Sequence, residues 1–212
     1  SSRRQRQMCI RDSGKTDKVF EGNGPGLNCK VTAQKEFFGG CAGNIAYGLR
    51  LLKTPCLLLS LAGTEDFRRY AQHLNHGLSG VLSVKGMQCA KANIITDPNG
   101  TQFTAFSPGP EVDKATWATH LQNQPFGSVD IFVCAPFPIP LMQSALEITK
   151  ASNPNIFNLW VPGQYADSMQ ADELRIAIKA CDLLVGNTHE IDRRTAPGCL
   201  TGKSVITVSY TH

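Results

Sequence analysis

From Leu141 onward the chain alternates helical-period segments with short apolar runs, and that alternation is the strongest constraint on its fold. Leu141 to Lys150 reads as a helix and "NIFNLW" as a strand. Ala171 to Cys181 reads as a helix with Leu174, Ile176, Ala177 and Ile178 apolar; "DLLVGN" is the next strand, and "SVITV" begins one more. The same rhythm runs upstream. Asn44 to Lys53 has Ile45, Leu49 and Leu52 at helical spacing and ends before Pro55, because a residue ahead of proline is pushed out of the helical region. "CLLLSLAG" then reads as a buried strand. Phe67, Tyr70, Ala71 and Leu74 fall at i, i+3, i+4 and i+7, and this pattern stops at Gly77. "GVLSV" is a further short strand. A helix near Ala115 to Gln122 leads to the strand "DIFVCAP". Such a chain is α/β, with a parallel sheet covered by helices on both faces. One excursion breaks the rhythm: "CAKANIITD" and "TQFTAF" flank the turn "PNG", two strands in succession with no helix between them.

The totals allow one sizeable domain: 212 residues, 42% hydrophobic and 18% charged, a globular composition. The longest apolar runs, such as Cys56 to Ala62, are far shorter than the roughly 20 residues that span a bilayer, so no membrane partner is expected. The formal charge of +4 invites a nucleic-acid reading. Arg3, Arg4, Arg6 and Arg11 supply most of it against one acid, Asp12, so the basicity belongs to the first 13 residues and no nucleic-acid partner follows. Eight cysteines form no C-x-x-C pair, and Cys56, Cys134 and Cys181 lie in or beside apolar runs. Buried thiols in a reducing, cytoplasmic setting account for them better than a disulfide framework. The opening string "SSRRQRQMCIRDS" lacks the apolar core of a signal peptide. It resembles translated adapter read-through, and the final "VSYTH" resembles a similar scar. Residues 1–13 and 209–212 are therefore expected to be foreign to a domain spanning 14–208; the alternative for the former is a disordered arginine-rich arm.

In an open α/β sheet ligands bind beyond the carboxyl ends of the strands, which directs attention to "GGCAGN", "VPGQ" and "GNTHE". Two adjacent glycines ahead of a helix are costly in chain entropy unless something approaches the backbone. Gly39 and Gly40 could expose N–H groups to a ligand while Asn44 bonds a hydroxyl; alternatively Asn44 caps the helix it precedes. The spacing is not the dinucleotide pattern G-x-G-x-x-G. Asn187 and Glu190 have capping-box spacing, which alone explains both, yet a carboxylate beside a helix start also suits phosphate and hydrated Mg²⁺. His73 and His76 lie near a helix end and His189 within the capping segment; none has a partner pattern for catalysis.

Taken together, "GGCAGNIAYGLRLL", "LAGTEDFRRYAQHL" and, in order, "NTHE" resemble the PfkB or ribokinase-type family of sugar and nucleoside kinases. "KEFFGGCAGNIAYGLRLL", "IITDPNGTQFTAFSPG" and the later "PGQ" are most similar to bacterial adenosine kinases, over about residues 27 to 208. The resemblance implies a ribokinase-like parallel sheet sandwiched by helices with a small β-sheet lid, whose elements lie near 27–36 and 86–108. It implies that Gly39, Gly40 and Asn44 bind the hydroxyls of the substrate sugar and that Phe103 and Ala105 face the substrate, the alternative for Phe103 being packing between lid and body. It implies that Asn187 and Glu190 organise Mg²⁺ and the phosphates of ATP, Glu190 acting through water and no residue ligating the metal directly. The substrate is then adenosine, phosphorylated on its 5′-hydroxyl. Another family substrate (ribose, fructose or a different nucleoside) is the near alternative, and a non-catalytic metabolite-binding module the distant one.

Departures from the family pattern carry expectations too. The family's first strand, with a sugar-binding aspartate, would lie before Gly14, and the G-x-G-D segment bearing the catalytic-base aspartate would lie after His212. The resemblance therefore puts no catalytic residue inside this sequence and implies that the 212 residues alone are inactive. An acid is expected beside the proline of "PGQ", where this chain has "NLWVPGQ". Nothing in the sequence sets an oligomeric state.

Overall fold

A computed structural model of the protein describes residues 33–96, 101–163, 165, 168–187, 190 and 204–208. In chain order they form α1 (Cys41–Leu51), β1 (Ser60–Gly63), α2 (Phe67–Leu74), β2 (Val81–Val84), β3 (Lys91–Thr96), β4 (Gln102–Ser107), α3 (Lys114–Gln122), β5 (Ile131–Cys134), α4 (Ile139–Ser152), β6 (Phe157–Trp160), α5 (Ala171–Ala180), β7 (Leu183–Asn187) and β8 (Ser204–Val208). β1 and β2 pair in parallel, and β5, β6, β7 and β8 form a four-stranded parallel sheet in that order. The excursion is an antiparallel pair, β3 with β4, in the register Lys91↔Ser107 to Thr96↔Gln102; its turn lies outside the described residues.

The two parallel pieces make no ladder with each other among the described residues, but one core joins them. Leu61 and Leu82 from β1 and β2 pack with Phe132 of β5 around Trp117, Leu121, Leu141 and Ala145 of α3 and α4. Successive strand residues point to opposite faces. Val81, next to Leu82, accordingly joins Leu58, Ala46 and Leu74 in a second cluster under α1 and α2. The β1–β2 layer is thus sandwiched between helices, as the alternation predicts. In the four-stranded sheet, the even-numbered Cys134, Trp160 and Leu184 face α4 and α5, while the odd-numbered Ile131 and Phe157 are exposed. That second face is apolar, and no described helix covers it.

α4 lies between two clusters, giving Met142 and Leu146 to one and Leu141 and Ala145 to the other. A helix buried on two sides shows little amphipathic contrast, and even Gln143 and Ser144 are buried here. Beneath it a polar clamp ties three elements: fully buried Asn158 donates to the carbonyls of Leu146 (3.1 Å) and Ala180 (3.0 Å) and accepts from Thr149 Oγ1 (3.3 Å). Its backbone N–H donates to Asp182, which also pairs with Lys150 at 2.7 Å.

The structure trims three local expectations. The first strand covers only Ser60–Gly63 of "CLLLSLAG", because the chain opposite its start is a 3₁₀ turn (Leu78–Gly80) rather than a strand; Leu58 N–H bonds Gly77 O instead (2.7 Å). α2 is closed by Asn75 in the left-handed region (φ 42°), two residues before Gly77. Residues 33–36, expected to contribute to the small β-sheet, run without regular secondary structure, and 27–32 lie outside the described residues.

Candidate functional site

The diglycine turn is shaped by one residue whose backbone only glycine readily adopts. Gly40 sits at φ 95°, ψ 138° and occupies the N-cap position of α1, a region almost closed to residues with a β-carbon. The helix begins at Cys41, three residues before the expected start, with Asn44 N–H making its first bond back to Gly40 O (2.8 Å). Asn44 is therefore inside the first turn and caps nothing, which corrects the capping alternative and the idea that Asn44 starts the helix. Its side chain is exposed and has no hydrogen-bond partner among the described residues. A glycine N-cap offers no side-chain acceptor, so the first-turn N–H groups are left uncapped. Among the described residues no heavy atom beyond the adjoining residues lies within 4 Å of where a β-carbon would stand at Gly39 or at Gly40. An oxygen-rich ligand would find donors, room and the Asn44 amide on the same turn.

α2 holds this turn from beneath. Tyr70 Oη donates to Gly39 O at 2.8 Å, and its ring lies edge-on to Phe38, centroids 5.5 Å apart. Gly43 of α1 leaves the notch that the phenol fills, since a β-carbon there would collide with Tyr70 Oη. His73, one turn on, stacks on Phe38 (4.6 Å) and on Tyr47 (4.9 Å), and Arg50 lies over the Tyr47 ring. At the start of α2, Asp66 accepts from the Cys89 N–H (2.7 Å) and pairs with Lys91 of β3 (2.8 Å). Asp66, Tyr70 and His73 are i, i+4 and i+7, so one helix face grips both the root of the hairpin and the diglycine turn. Glu36 completes the connection through Arg69 (2.8 Å). The sequence pattern places Tyr70 in the helical period with Phe67, Ala71 and Leu74 and assigns Asp66 no role. The signal that could have found them is the i, i+4, i+7 placement of three polar-tipped residues on a helix next to the glycine pair.

Phe103 and Ala105 of β4 share one face of the hairpin with Asn93 and Ile95, their cross-strand partners. Lys91 belongs to the same face and is the residue that reaches Asp66 on the body. Every described position on this face is exposed, Phe103 at 42% and Ile95 at 43%. Two large apolar side chains with that exposure form a platform suited to covering a flat apolar group.

At the carboxyl end of β7, Asn187 and Glu190 hold each other. Glu190 N–H donates to Asn187 Oδ1 (2.8 Å), while Asn187 N–H and Nδ2 donate to the two carboxylate oxygens of Glu190 (3.0 Å each). The capping box is formed in full. Among the described residues each carboxylate oxygen accepts one N–H, where it has room for a second donor. These two residues bond to one another and not to the diglycine turn. Among the described residues no group of three or more His, Cys, Asp or Glu is placed to hold a metal. At the "VPGQ" loop, where an acid was expected, Val161 is half-buried and its N–H extends the ladder to Cys134 O (2.9 Å); Gln164 lies outside the described residues. The described histidines serve structure: besides His73 in its stack, His76 Nε2 meets Thr54 O (3.1 Å) and His120 Nε2 meets Gly80 O (2.8 Å). His189 lies outside the described residues.

The sequence matches the family described as pfkB family carbohydrate kinase over residues 8–196. The chain belongs to that family. A nucleoside kinase of Methanocaldococcus jannaschii is 24% identical over 173 residues, covering 80% of this chain and 55% of the relative. The solved nucleoside kinase of Burkholderia thailandensis in complex with inosine superposes with a TM-score of 0.71 at 24% identity, over 87% of this chain and 62% of that one. The same enzyme in complex with ADP-inosine gives 0.63 at 26%, over 79% and 51%. This pfkB-family chain thus has the ribokinase-like fold of a parallel α/β core with a small antiparallel sheet, and it spans about half the length of the curated relatives it matches. No described helix is long and apolar enough to cross a membrane.

Proposed function

We propose that this chain carries the acceptor-binding part of an ATP- and Mg²⁺-dependent nucleoside kinase acting on the 5′-hydroxyl of adenosine. The observation that carries the reading is the diglycine turn: uncapped donors at the start of α1 and, among the described residues, open space at the β-carbon positions of Gly39 and Gly40 and no hydrogen-bond partner for the Asn44 amide on the same turn. Ribose hydroxyls are ligands of that kind, needing several fixed donors and acceptors at short range. The apolar platform of Ile95 and Phe103 supports a nucleoside over a bare sugar, because a purine has a flat face to cover and ribose or fructose has none. The names of the relatives point the same way: nucleoside kinases, one of them solved with inosine.

ATP supplies the γ-phosphoryl group and Mg²⁺ neutralises its charge in chemistry of this class, which depends on positioning more than on covalent steps. Asn187 and Glu190 would hold the hydrated ion: their mutual hydrogen bonds fix the carboxylate, and the remaining lone pair on each oxygen suits a metal-bound water. Gly39, Gly40 and Asn44 would orient the sugar. Phe103 and Ala105 would close over it and exclude water that competes with the hydroxyl.

Calorimetric titration of the 212-residue chain with adenosine, inosine, ribose and fructose tests the reading. Adenosine is expected to bind at least tenfold more tightly than ribose, and Asn44→Ala to abolish most of that binding without lowering the melting temperature. Equal affinity for ribose or fructose would reassign the substrate to a plain sugar, and tighter binding of inosine would move it to another nucleoside. Binding of none of the four would overturn the proposal.

A further inference from the structure

The peptide linking Gly39 to Gly40 has two ends, and the described residues engage only one of them. Its carbonyl accepts from Tyr70 Oη at 2.8 Å, while the N–H of Gly40 has no acceptor among the described residues. In a planar trans peptide these two groups point in opposite directions. Whatever fixes the carbonyl toward α2 therefore aims the Gly40 N–H away from α2, on a residue whose β-carbon position has no described neighbour within 4 Å beyond the adjoining residues. Gly40 at φ 95° has several accessible backbone states, so the peptide plane needs an external restraint to keep one orientation.

We propose that Tyr70 is a positioning residue for the acceptor site: by holding the Gly39 carbonyl it sets the direction in which the Gly40 N–H meets the substrate hydroxyl. The inference rests on the nucleoside reading for its ligand but not for its geometry. Three features fit Tyr70 to the task. Its oxygen is locked in the notch at Gly43, where a β-carbon would displace it. Its ring is braced by Phe38, edge-on at 5.5 Å, and by Phe67 at 6.2 Å. Burial, aided by the neighbouring Cys89, pushes the phenol above its ordinary pKa, so it remains a donor across the physiological range. A tyrosine serving only to fill the core would need neither a glycine opposite its oxygen nor an acceptor on the ligand-facing turn.

The test compares the native chain with Tyr70→Phe, which keeps the ring and removes the donor, and with Gly43→Ala, which keeps the phenol and evicts it from the notch. Backbone ¹⁵N relaxation in the ligand-free protein should show Gly40 ordered in the native chain and mobile in both variants, the order parameter dropping below about 0.6, with α4 unchanged. Adenosine affinity should fall about tenfold in each variant, the equivalent of one net hydrogen bond. Unchanged order at Gly40 in both variants overturns the proposal, as does a lowered melting temperature with neither local mobility nor weaker binding. If the native chain bound no adenosine, the nucleoside reading would fall, and the relaxation measurement would still decide the role of Tyr70.

Discussion

Asp66 and Lys91 meet at the root of the hairpin, Lys91 Nζ lying 2.8 Å from one carboxylate oxygen of Asp66 while the Cys89 N–H donates to the other at 2.7 Å. The first residue opens α2 and the second opens β3, so this pair is where the excursion from the α/β rhythm is fastened back to the body. Partial burial acts to raise the Asp66 pKa. The hydrogen bonds from Lys91 and Cys89, with the charge of Lys91, outweigh it and hold the carboxyl below its ordinary value. A folded-state pKa depressed in this way stabilises the protein above the unfolded value and is lost as pH falls through the folded value. The fastening is thus complete at neutral pH and released only below the ordinary carboxylate range. In an NMR titration, Asp66 should show a midpoint below 3.8, and Lys91→Met should move it upward. A midpoint unaffected by Lys91→Met would show that the pair contributes nothing.

Gly39 and Gly40 should separate backbone strain from ligand contact. Gly40→Ala forces a β-carbon onto φ 95° and should cost about 1–3 kcal/mol of stability in urea denaturation. Gly39 is not at positive φ and has open space around its β-carbon position, so Gly39→Ala should stay within about 0.5 kcal/mol of the native chain. A large drop in adenosine binding by Gly39→Ala would then report the ligand itself; unchanged binding would remove Gly39 from the site.

The two tryptophans offer a matched pair. Trp117 and Trp160 are both buried, but Trp117 Nε1 donates to Leu141 O at 3.1 Å and Trp160 Nε1 has no acceptor among the described residues. Replacing each by phenylalanine removes a similar volume and differs in the hydrogen bond. Trp117→Phe should therefore be the more destabilising, by about 1 kcal/mol. Equal losses in denaturation would mean that the indole N–H of Trp160 finds a buried partner such as water.

Cys134 and Cys181 should be silent thiols. They are 4% and 0% exposed, and burial, with Cys181 adjacent, pushes Cys134 up to about 12. An alkylating reagent acts on the thiolate. Neither should be modified in the native protein at pH 8, while half-buried Cys41, Cys56 and Cys89 react first; mass spectrometry of peptides after a short pulse gives the order. Early labelling of Cys134 would contradict the core.

Sequence reading recovered the element order because each strand and helix here has its own local signal. "TQFTAF" pairs with "CAKANIITD" in the expected hairpin, and "NTHE" forms the box that its spacing implies. What could not be read depends on neighbours. The strand in "CLLLSLAG" begins late because its partner opens with a 3₁₀ turn, and no property of the leucines themselves encodes that. Asn44 looked like a cap because caps are read from residue type, whereas the helix start is set by the conformation of Gly40. Tyr70 has the periodicity of a core residue, and only the approach of the Gly39 carbonyl distinguishes it. Among the candidate site residues, the glycines and amides are legible by type; their supports are not.

The single face of α2 that carries Asp66, Tyr70 and His73 acts as a ruler. Each residue of a helix turns the chain by about 100°, so inserting or deleting one residue between Asp66 and Tyr70 would rotate one grip away from the other and let hairpin and diglycine turn drift apart. Beyond Lys91 the pairing of β3 with β4 sets the face on which Ile95, Phe103 and Ala105 stand, so a one-residue change within either strand would turn them to the other side. The root of the hairpin, where Lys91 and the Cys89 N–H meet Asp66, is therefore the part of this scaffold whose length is fixed.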